Sequence, residues 1–352
     1  MSVLRQRFEA ALARTAMRVP RTVLRTLFRH PTTRDGNTLD PQVELILFLA
    51  RLARKPHTHE FALADARRDL DANALVFAPK AFPLAEVRDL KLNGIPMRLY
   101  RPHALAENAP ALVYFHGGGW VAGSLDSHDA PCRVLANESR AIVISVDYCL
   151  APEHRFPAAF DEALAAFRAV ASHKDELGID PARIAVGGDS AGGNLSASIS
   201  CALRDDAVRP CFQLLIYPAV DATMSSRSID SLGHGFFLER ATMDWFVNHY
   251  VPNKKDRTDP RVSPLLASDV SHVPPAFIMT AGFDPLRDEG EAYATKLREA
   301  GVHVEYLCCG SLFHGFLNTA GAVIASKEAL SIAAAALQRA LYAPSPHPTE
   351  PA

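Results

Sequence analysis

Gly188-Asp189-Ser190-Ala191-Gly192 is the stretch that decides the fold. It lies between an apolar, β-branched run at residues 183–186 and a segment of small residues at 194–203. This order predicts a strand, a sharp turn and a helix, with Ser190 at the tip of the turn. The flanking glycines would let strand and helix approach closely. The pentapeptide alone also occurs in ordinary turns, so its interpretation depends on whether the chain supplies a base, an acid and an oxyanion hole.

Apolar strands alternate with helical segments on both sides of this stretch. Residues 87–92 and 95–100 flank Asn93-Gly94 and predict a β-hairpin. Further strands are predicted at 111–115, 141–146, 212–217, 276–280 and 303–307, and helices at 157–173 and 289–300. Strands that alternate with helices predict an α/β fold with a mostly parallel, doubly wound sheet and functional side chains at the carboxyl ends of its strands.

The alternation is interrupted before residue 81 and again between Tyr217 and Ala276, which predicts a helical cap over the sheet. Within these regions helices are expected at residues 43–52 and 62–70 and around the aromatic residues 236–238 and 245–246. The predicted boundaries are 1–80 for an N-terminal helical region that contributes to the cap, 81–217 for the first part of the core, 218–272 for the cap insertion, 273–342 for the second part of the core and 343–352 for a disordered tail.

The N-terminal 30 residues are strongly basic, with seven arginines and Glu9 as their only acid. Leu4, Phe8 and Leu12 recur at helical spacing, so an amphipathic helix is predicted. A solvated basic face on a cap helix is the preferred interpretation. Contact with a membrane surface is the alternative.

Composition excludes several classes of function. A chain of 352 residues with a net charge of -2 has no overall field that would attract nucleic acid. Its six cysteines show no CxxC spacing, and no signal peptide or long apolar run is visible, so a cytoplasmic, reducing compartment is expected. Metal-ligand spacing and phosphate-binding loops are also missing from the sequence, so neither a metal nor a cofactor is expected.

A serine hydroxyl needs a histidine to accept its proton, and that histidine needs a carboxylate to orient it. His314 follows the last predicted strand, and Asp284 follows the strand before it. The order Ser190, Asp284, His314 is that of α/β hydrolases. Asp288 and Glu289 are the competing acids, although both are better placed as first-turn charges of the next helix.

A second glycine-rich stretch, His116-Gly117-Gly118-Gly119-Trp120, follows a predicted buried strand. It is either a flexible turn or a set of backbone donors for a tetrahedral oxyanion. With a serine nucleophile downstream, the second interpretation is preferred. The predicted oxyanion hole comprises Gly117, Gly118, Gly119 and the residue after the serine, Ala191.

Together these motifs resemble the bacterial hormone-sensitive-lipase-like family (family IV) of carboxylesterases, of the α/β-hydrolase superfamily. The resemblance spans roughly residues 75–340 and includes HGGGW at 116–120, DYCLAPEH at 147–154, GDSAG at 188–192, DPLRDE at 284–289 and HGF at 314–316. It implies that Ser190 is the nucleophile, Asp284 the orienting acid and His314 the base. It also implies a helical cap and a possible homodimer.

Two departures from the family pattern are visible. Cys149 stands where the family usually has arginine, so a structural ion pair is expected to be missing while catalysis survives. The first 40 residues are longer and more basic than usual. Asp189 is interpreted as a structural acceptor rather than as a catalytic acid.

The predicted function is a serine carboxylesterase that hydrolyses small esters with short to medium acyl chains through an acyl-enzyme on Ser190. An amidase or deacetylase with the same triad is one alternative, since sequence does not decide the leaving group. A non-catalytic small-molecule binder on the same fold is the other.

Overall fold

The structure is a computed structural model that describes residues 14–343. The predictions made for residues 1–13 and 344–352 lie outside the described residues. A two-stranded antiparallel hairpin, β1 (Thr33–Arg34) and β2 (Asn37–Thr38), lies in the N-terminal region. The main sheet has eight strands: β3 (Glu86–Leu92), β4 (Ile95–Arg101), β5 (Ala109–Phe115), β6 (Ile142–Val146), β7 (Ile179–Asp189), β8 (Gln213–Ile216), β9 (Ala276–Phe283) and β10 (Val304–Phe313).

The spatial order of the main sheet is β10-β9-β8-β7-β5-β6-β4-β3. Six neighbouring strands, from β10 to β6, are parallel, and β3 and β4 add an antiparallel hairpin at one edge. Asn93 and Gly94 both have positive φ, 49° and 87°, as a tight hairpin turn requires. The predicted fold class, a mostly parallel doubly wound sheet, is confirmed.

Helices follow most of the strands. Apart from short 3₁₀ turns and the helical residues 14–16, the described part of the chain forms eleven of them. They are α1 (Arg21–Leu27), α2 (Pro41–Leu52), α3 (Leu63–Val76), α4 (Asp129–Ser139), α5 (Ala158–Ser172), α6 (Lys174–Leu177), α7 (Ala191–Ala202), α8 (Arg227–Leu232), α9 (Arg240–Tyr250), α10 (Arg287–Glu299) and α11 (Ile324–Tyr342).

Strand β5 shows why the central strands are continuously apolar. All seven of its residues are buried. Val113 and Phe115 pack in the same apolar cluster as α5 and α7, whereas Leu112 and Tyr114 pack with α4 and α11. Helices therefore cover both faces of the sheet, and a strand buried on both faces cannot alternate apolar and polar residues.

Between β8 and β9 the chain forms helices α8 and α9. Trp245 and Phe246 lie on α9 as predicted, but the helix expected at residues 236–238 is wrong. Helix α8 ends at Leu232, before Gly233, and Phe237 has φ 77°, which a helix cannot contain.

The N-terminal region and this insertion contact each other. Arg51 Nη2, at the end of α2, donates to the carbonyl oxygen of Gly235 at 3.3 Å. His59 Nδ1 lies 2.9 Å from Thr242 Oγ1 on α9. The exact boundaries of a cap domain stay a prediction.

Among the helices of residues 14–343, none combines the length and the hydropathy that a bilayer span needs.

Helix α2 is also attached to the C-terminal part of the chain. The side chain of Gln42 donates through Nε2 to the carbonyl oxygen of Ala322 at 2.9 Å. Its Oε1 accepts the N–H of Ile324, the first residue of α11, at 3.0 Å. The N-terminal region therefore packs against a segment from the other end of the sequence.

Candidate active site

Ser190 joins the end of β7 to the start of α7 in a strained turn. Its φ and ψ are 54° and -116°, a conformation that non-glycine residues rarely adopt. A Cβ atom at Gly188 or at Gly192 would overlap the carbonyl oxygen of Phe115 on the neighbouring strand. The two glycines therefore let helix α7 cross the sheet closely enough to present the Ser190 hydroxyl at the carboxyl edge.

Three side chains from three strand ends meet at this edge. His314 Nε2 lies 3.0 Å from Ser190 Oγ, and His314 Nδ1 lies 2.8 Å from Asp284 Oδ2. Asp284 follows β9, is fully buried, and accepts the N–H of Leu286 at 2.8 Å through its other oxygen. Both nitrogens of the imidazole thus have partners, which fixes the ring between a hydroxyl and a carboxylate.

The two competing acids serve structural roles. Asp288 accepts the N–H of Ser228 at 3.0 Å. Glu289 is buried and accepts the N–H groups of Val220 and Asp221 at 2.7 and 3.2 Å. Burial raises the pKa of the Glu289 carboxyl group well above its ordinary value.

His116, the first residue of the HGGGW motif, is also structural. Its ring stacks on Tyr148 at a centroid distance of 4.4 Å, and its Nδ1 lies 2.8 Å from the Gly117 carbonyl oxygen. Burial, with a smaller contribution from the charge of His128, lowers the pKa of His116 to about 4. The ring is therefore neutral near pH 7.

The glycine-rich loop contains backbone conformations that residues other than glycine rarely adopt. Gly118 and Gly119 have φ values of 125° and 61°. The N–H groups of Val121 and Ala122 both donate to the Gly118 carbonyl oxygen, at 3.1 and 3.0 Å, which fixes the loop beside the end of β5. Within residues 14–343, the N–H groups of Gly118, Gly119 and Ala191 have no acceptor. Three of the four predicted oxyanion donors can therefore donate a hydrogen bond to a substrate oxygen.

Gly117, the fourth predicted oxyanion donor, already has an acceptor within the protein. Its N–H donates at 2.9 Å to Oδ1 of Asp189, so it is not a free donor, which corrects the predicted set. The same oxygen accepts the Tyr114 hydroxyl at 2.7 Å and lies 3.2 Å from His128 Nε2. Tyr217 OH lies 3.4 Å from the second oxygen.

Asp189 thus holds the oxyanion loop against the nucleophile turn. Burial alone would raise the pKa of this carboxyl group, but the charge of His128 and the hydrogen bonds from Tyr114 and Gly117 outweigh burial and lower the pKa to about 2. Asp189 is therefore a buried anion. Tyr114 and His128 were not predicted. Tyr114 could have been found, because its hydroxyl lies within an otherwise apolar strand and needs a buried partner. No local sequence signal distinguishes His128.

Residues from outside the sheet close around these groups. A Cβ atom at Gly119 would overlap the ring of Phe246 on α9. Tyr217 packs on His314 with ring centroids 4.7 Å apart. Phe237 lies beside Gly315, where its ring is 3.4 Å from the position a Cβ would take. Two aromatic side chains of the insertion, Phe246 and Phe237, therefore lie beside the oxyanion loop and the residue after the candidate base.

Helix α3 is tied to the oxyanion loop by one side chain, Arg67. Its guanidinium donates to the carbonyl oxygens of Val121 and Ala151 at 2.7 and 2.8 Å, and it pairs with Glu153 at 2.6 Å. Ala151 in turn donates its N–H to the Trp120 carbonyl oxygen at 2.8 Å. Sequence reasoning missed Arg67, since nothing in its local sequence distinguishes it from the neighbouring arginine.

Cys149 donates its backbone N–H to Glu162 Oε2 at 2.5 Å. Burial and the nearby Glu162 carboxylate raise the pKa of the thiol to about 12. A thiol of this kind is a weak nucleophile near neutral pH. All six cysteines are free.

Comparison with known proteins places this geometry in a family. A family model described as the alpha/beta hydrolase fold matches residues 112–318. Among curated proteins, the chain is 44% identical to the carboxylic ester hydrolase LipN of Mycobacterium tuberculosis over 87% of this chain and 85% of that one. It is 39% identical to an ethyl acetate hydrolase of Pseudomonas putida over 86% of this chain and 100% of that one.

Solved structures agree. A thermostable esterase from Pseudomonas putida superposes with a TM-score of 0.82 at 33% identity, covering 89% of this chain and all of the other. An esterase of the archaeon Pyrobaculum calidifontis gives 0.79 at 39% identity, covering 85% and 98%. The chain therefore belongs to the hormone-sensitive-lipase-like family of carboxylesterases, within the α/β hydrolases, and is a carboxylic ester hydrolase.

Proposed function

We propose that the protein hydrolyses small carboxylic esters with short to medium acyl chains through an acyl-enzyme on Ser190. The observation that carries this proposal is the contact of His314 with both Ser190, at 3.0 Å, and Asp284, at 2.8 Å. These distances suit a base that accepts the serine proton while a carboxylate holds its tautomer.

In the acylation step, Ser190 Oγ attacks the ester carbonyl carbon as His314 Nε2 accepts the hydroxyl proton. The carbonyl π electrons move to oxygen, and the N–H groups of Gly118, Gly119 and Ala191 stabilise this oxyanion. Asp284 stabilises the imidazolium that forms. Collapse of the intermediate breaks the bond to the alkoxy group, which receives the proton from His314 and leaves as an alcohol.

Deacylation repeats these steps with water. His314 accepts a proton from water as the water oxygen attacks the acyl carbon, and the oxyanion occupies the same donors. Collapse breaks the bond to Ser190 Oγ, which recovers its proton from His314. The products are a carboxylic acid and free enzyme. No step needs a group other than these side chains, the backbone donors and water.

The proposed acyl range is supported by aromatic side chains of the insertion that lie beside the catalytic groups. Phe246 lies against the oxyanion loop, and Phe237 lies beside the residue that follows His314. The curated relatives include proteins named for ethyl acetate and for aryl esters. A small acyl group fits both observations.

Ser190→Ala and His314→Ala test the proposal against p-nitrophenyl esters of graded acyl length. Each variant is expected to lower kcat/KM by about 10⁴-fold or more, because both residues act in one unit. His272→Ala, an exposed histidine, is the matched control and should keep full activity. Circular dichroism verifies that the fold persists. Undiminished hydrolysis by a folded Ser190→Ala variant would overturn the proposal.

The acyl-enzyme itself is tested by a fluorophosphonate. It should add one phosphonyl group to Ser190, detected by peptide mass spectrometry, and none to the Ser190→Ala variant. The substrate range is tested by the same ester series. A kcat/KM that rises steadily to long acyl chains would contradict the proposed preference while leaving the catalytic assignment intact.

A further inference from the structure

Large apolar side chains are exposed on one set of neighbouring elements. Val23 and Leu27 of α1 are 53% and 66% exposed, and Phe48 and Leu52 of α2 are 50% and 69% exposed. Each pair is spaced four residues apart, so its members share one face of their helix. Phe237, between α8 and α9, is 56% exposed. Single exposed apolar residues are ordinary, but clustered ones mark interaction sites.

Contacts link the elements that carry these residues to one another and to the active site. The rings of Phe28 and Phe48 join α1 to α2 at 6.4 Å. Arg51, next to Leu52, donates to the carbonyl oxygen of Gly235, two residues before Phe237. Phe237 packs on Phe313, the residue before the candidate base, at 5.3 Å. We call this surface, from α1 through α2 to Phe237, the arginine-rich apolar face.

The segment that forms this face carries a net positive charge. Residues 14–57 contain nine basic and three acidic side chains, a net charge of +6. Since the whole chain has a net charge of -2, all other residues together carry -8. The segment 14–57 therefore differs in sign of charge from the rest of the chain, which the overall net charge conceals.

Each of the three acids already has a partner, so none is an unpaired surface anion. Asp40 accepts from Arg21 and from the N–H of Gln42. Glu44 is buried and accepts the N–H of Thr32 at 2.6 Å. Asp35 pairs with Arg287 at 2.8 Å. Lys55 pairs with Asp69 of α3 at 3.3 Å. Within residues 14–343, no ion pair is found for the exposed arginines of the face, Arg18, Arg25, Arg29, Arg51 and Arg54.

We propose that the arginine-rich apolar face binds the surface of an anionic phospholipid bilayer, with its apolar side chains in the interface and its cations on the lipid phosphates. Amphipathic helices with basic residues beside large apolar ones bind membranes in this way, and the attraction depends on negative surface charge. Because the face ends beside His314, bound enzyme would draw esters from the lipid–water interface. That last consequence rests on the proposed function, whereas the binding itself does not.

The experiment is co-sedimentation of the full-length protein with vesicles of phosphatidylcholine alone and of phosphatidylcholine mixed with phosphatidylglycerol. We expect binding to the anionic vesicles that is at least ~10-fold tighter than to the neutral ones, and that weakens as salt is added. The double variant Phe48→Ser/Leu52→Ser and the double variant Arg25→Gln/Arg29→Gln should each lower the partition coefficient about 10-fold or more.

The matched control is Ile324→Ser/Ile332→Ser, which removes two apolar side chains of similar exposure, 46% and 43%, from α11. It should bind as the wild type does. All variants should keep the melting temperature and the turnover of a water-soluble ester, which separates loss of binding from loss of fold or of catalysis. Failure to bind anionic vesicles, equal binding to neutral ones, or an equal loss in the control would overturn the proposal. If the face instead binds an acidic protein, the enzyme will fail to bind anionic vesicles, which is the first of these outcomes.

Discussion

Replacement of Asp189 tests whether a buried anion holds the oxyanion loop to the nucleophile turn. The carboxyl pKa is about 2 in the folded protein against an ordinary value of 3.8. A difference of about 1.8 units corresponds to roughly 2.4 kcal/mol of folding free energy when the group is ionised. The folded pKa is the lower one, so this contribution is complete above about pH 5 and is lost as the pH falls from there towards 2.

Two variants separate the charge from the hydrogen bonds. Asp189→Asn keeps one oxygen for Tyr114 and Gly117 but removes the anion, so we expect a loss of roughly 2 kcal/mol at pH 7. Asp189→Ala leaves those donors and His128 without an acceptor in the core, so a loss of roughly 3–5 kcal/mol is expected. Because Gly117 begins the oxyanion loop, kcat of the alanine variant should also fall, by about 10²-fold.

The assay is urea denaturation of wild type and variants between pH 3 and pH 7, followed by ester hydrolysis under native conditions. The difference in unfolding free energy between wild type and Asp189→Asn should shrink as the pH is lowered. Asp205→Asn, at an exposed position, should leave both readouts unchanged. If Asp189→Asn and the wild type differ by the same amount at pH 3 and pH 7, the reasoning is refuted.

Three further predictions concern the glycine loop, α3 and a buried acid. Gly119→Ala should lower kcat about 10²-fold, since φ is 61° and the new Cβ would overlap an aromatic ring; Gly235→Ala, also at positive φ but in open space, should not. Arg67→Ala should lower kcat about 10-fold with little change in KM, because the oxyanion loop loses this contact. The control is Arg68→Ala, at an exposed neighbouring position, which should leave kcat unchanged. Because the folded pKa of the Glu289 carboxyl group is raised, this group lowers the stability of the wild type as the pH rises above about 4.5. Glu289→Gln should remove this loss, which is measured by comparing the melting temperatures of both proteins at pH 5 and pH 8.

The elements of the core were predictable because their signals are local. The hairpin at Asn93-Gly94 needs two residues of positive φ, and the turn at Ser190 needs glycines on both sides. The small hairpin of β1 and β2 turns at Asp35 and Gly36, a pair with φ values of 49° and 78°. An Asp-Gly pair is the same local signal, so this hairpin could have been predicted as well.

What escaped sequence reasoning depends on contacts between distant segments. His128, the residue before α4, lies 3.2 Å from Asp189, which is 61 residues further along the chain, and no residue near His128 encodes that contact. The N–H of Gly117 was assigned to an oxyanion because the motif could not show that a buried carboxylate already accepts it. Phe237 was placed on a helix from its apolar neighbours, although the adjacent glycines end the helix first.

The contact of Gln42 with the segment before α11 also fixes when this protein can finish folding. Its two partners, Ala322 and Ile324, lie 280 and 282 residues further along the chain. At roughly 5–20 residues per second, that interval is about 14–56 s on the ribosome. During this time Gln42 lacks these late partners, and the arginines of α1 and α2 are charges that oppose aggregation of the neighbouring apolar side chains. Helix α2 is thus made well before one of the segments against which it packs.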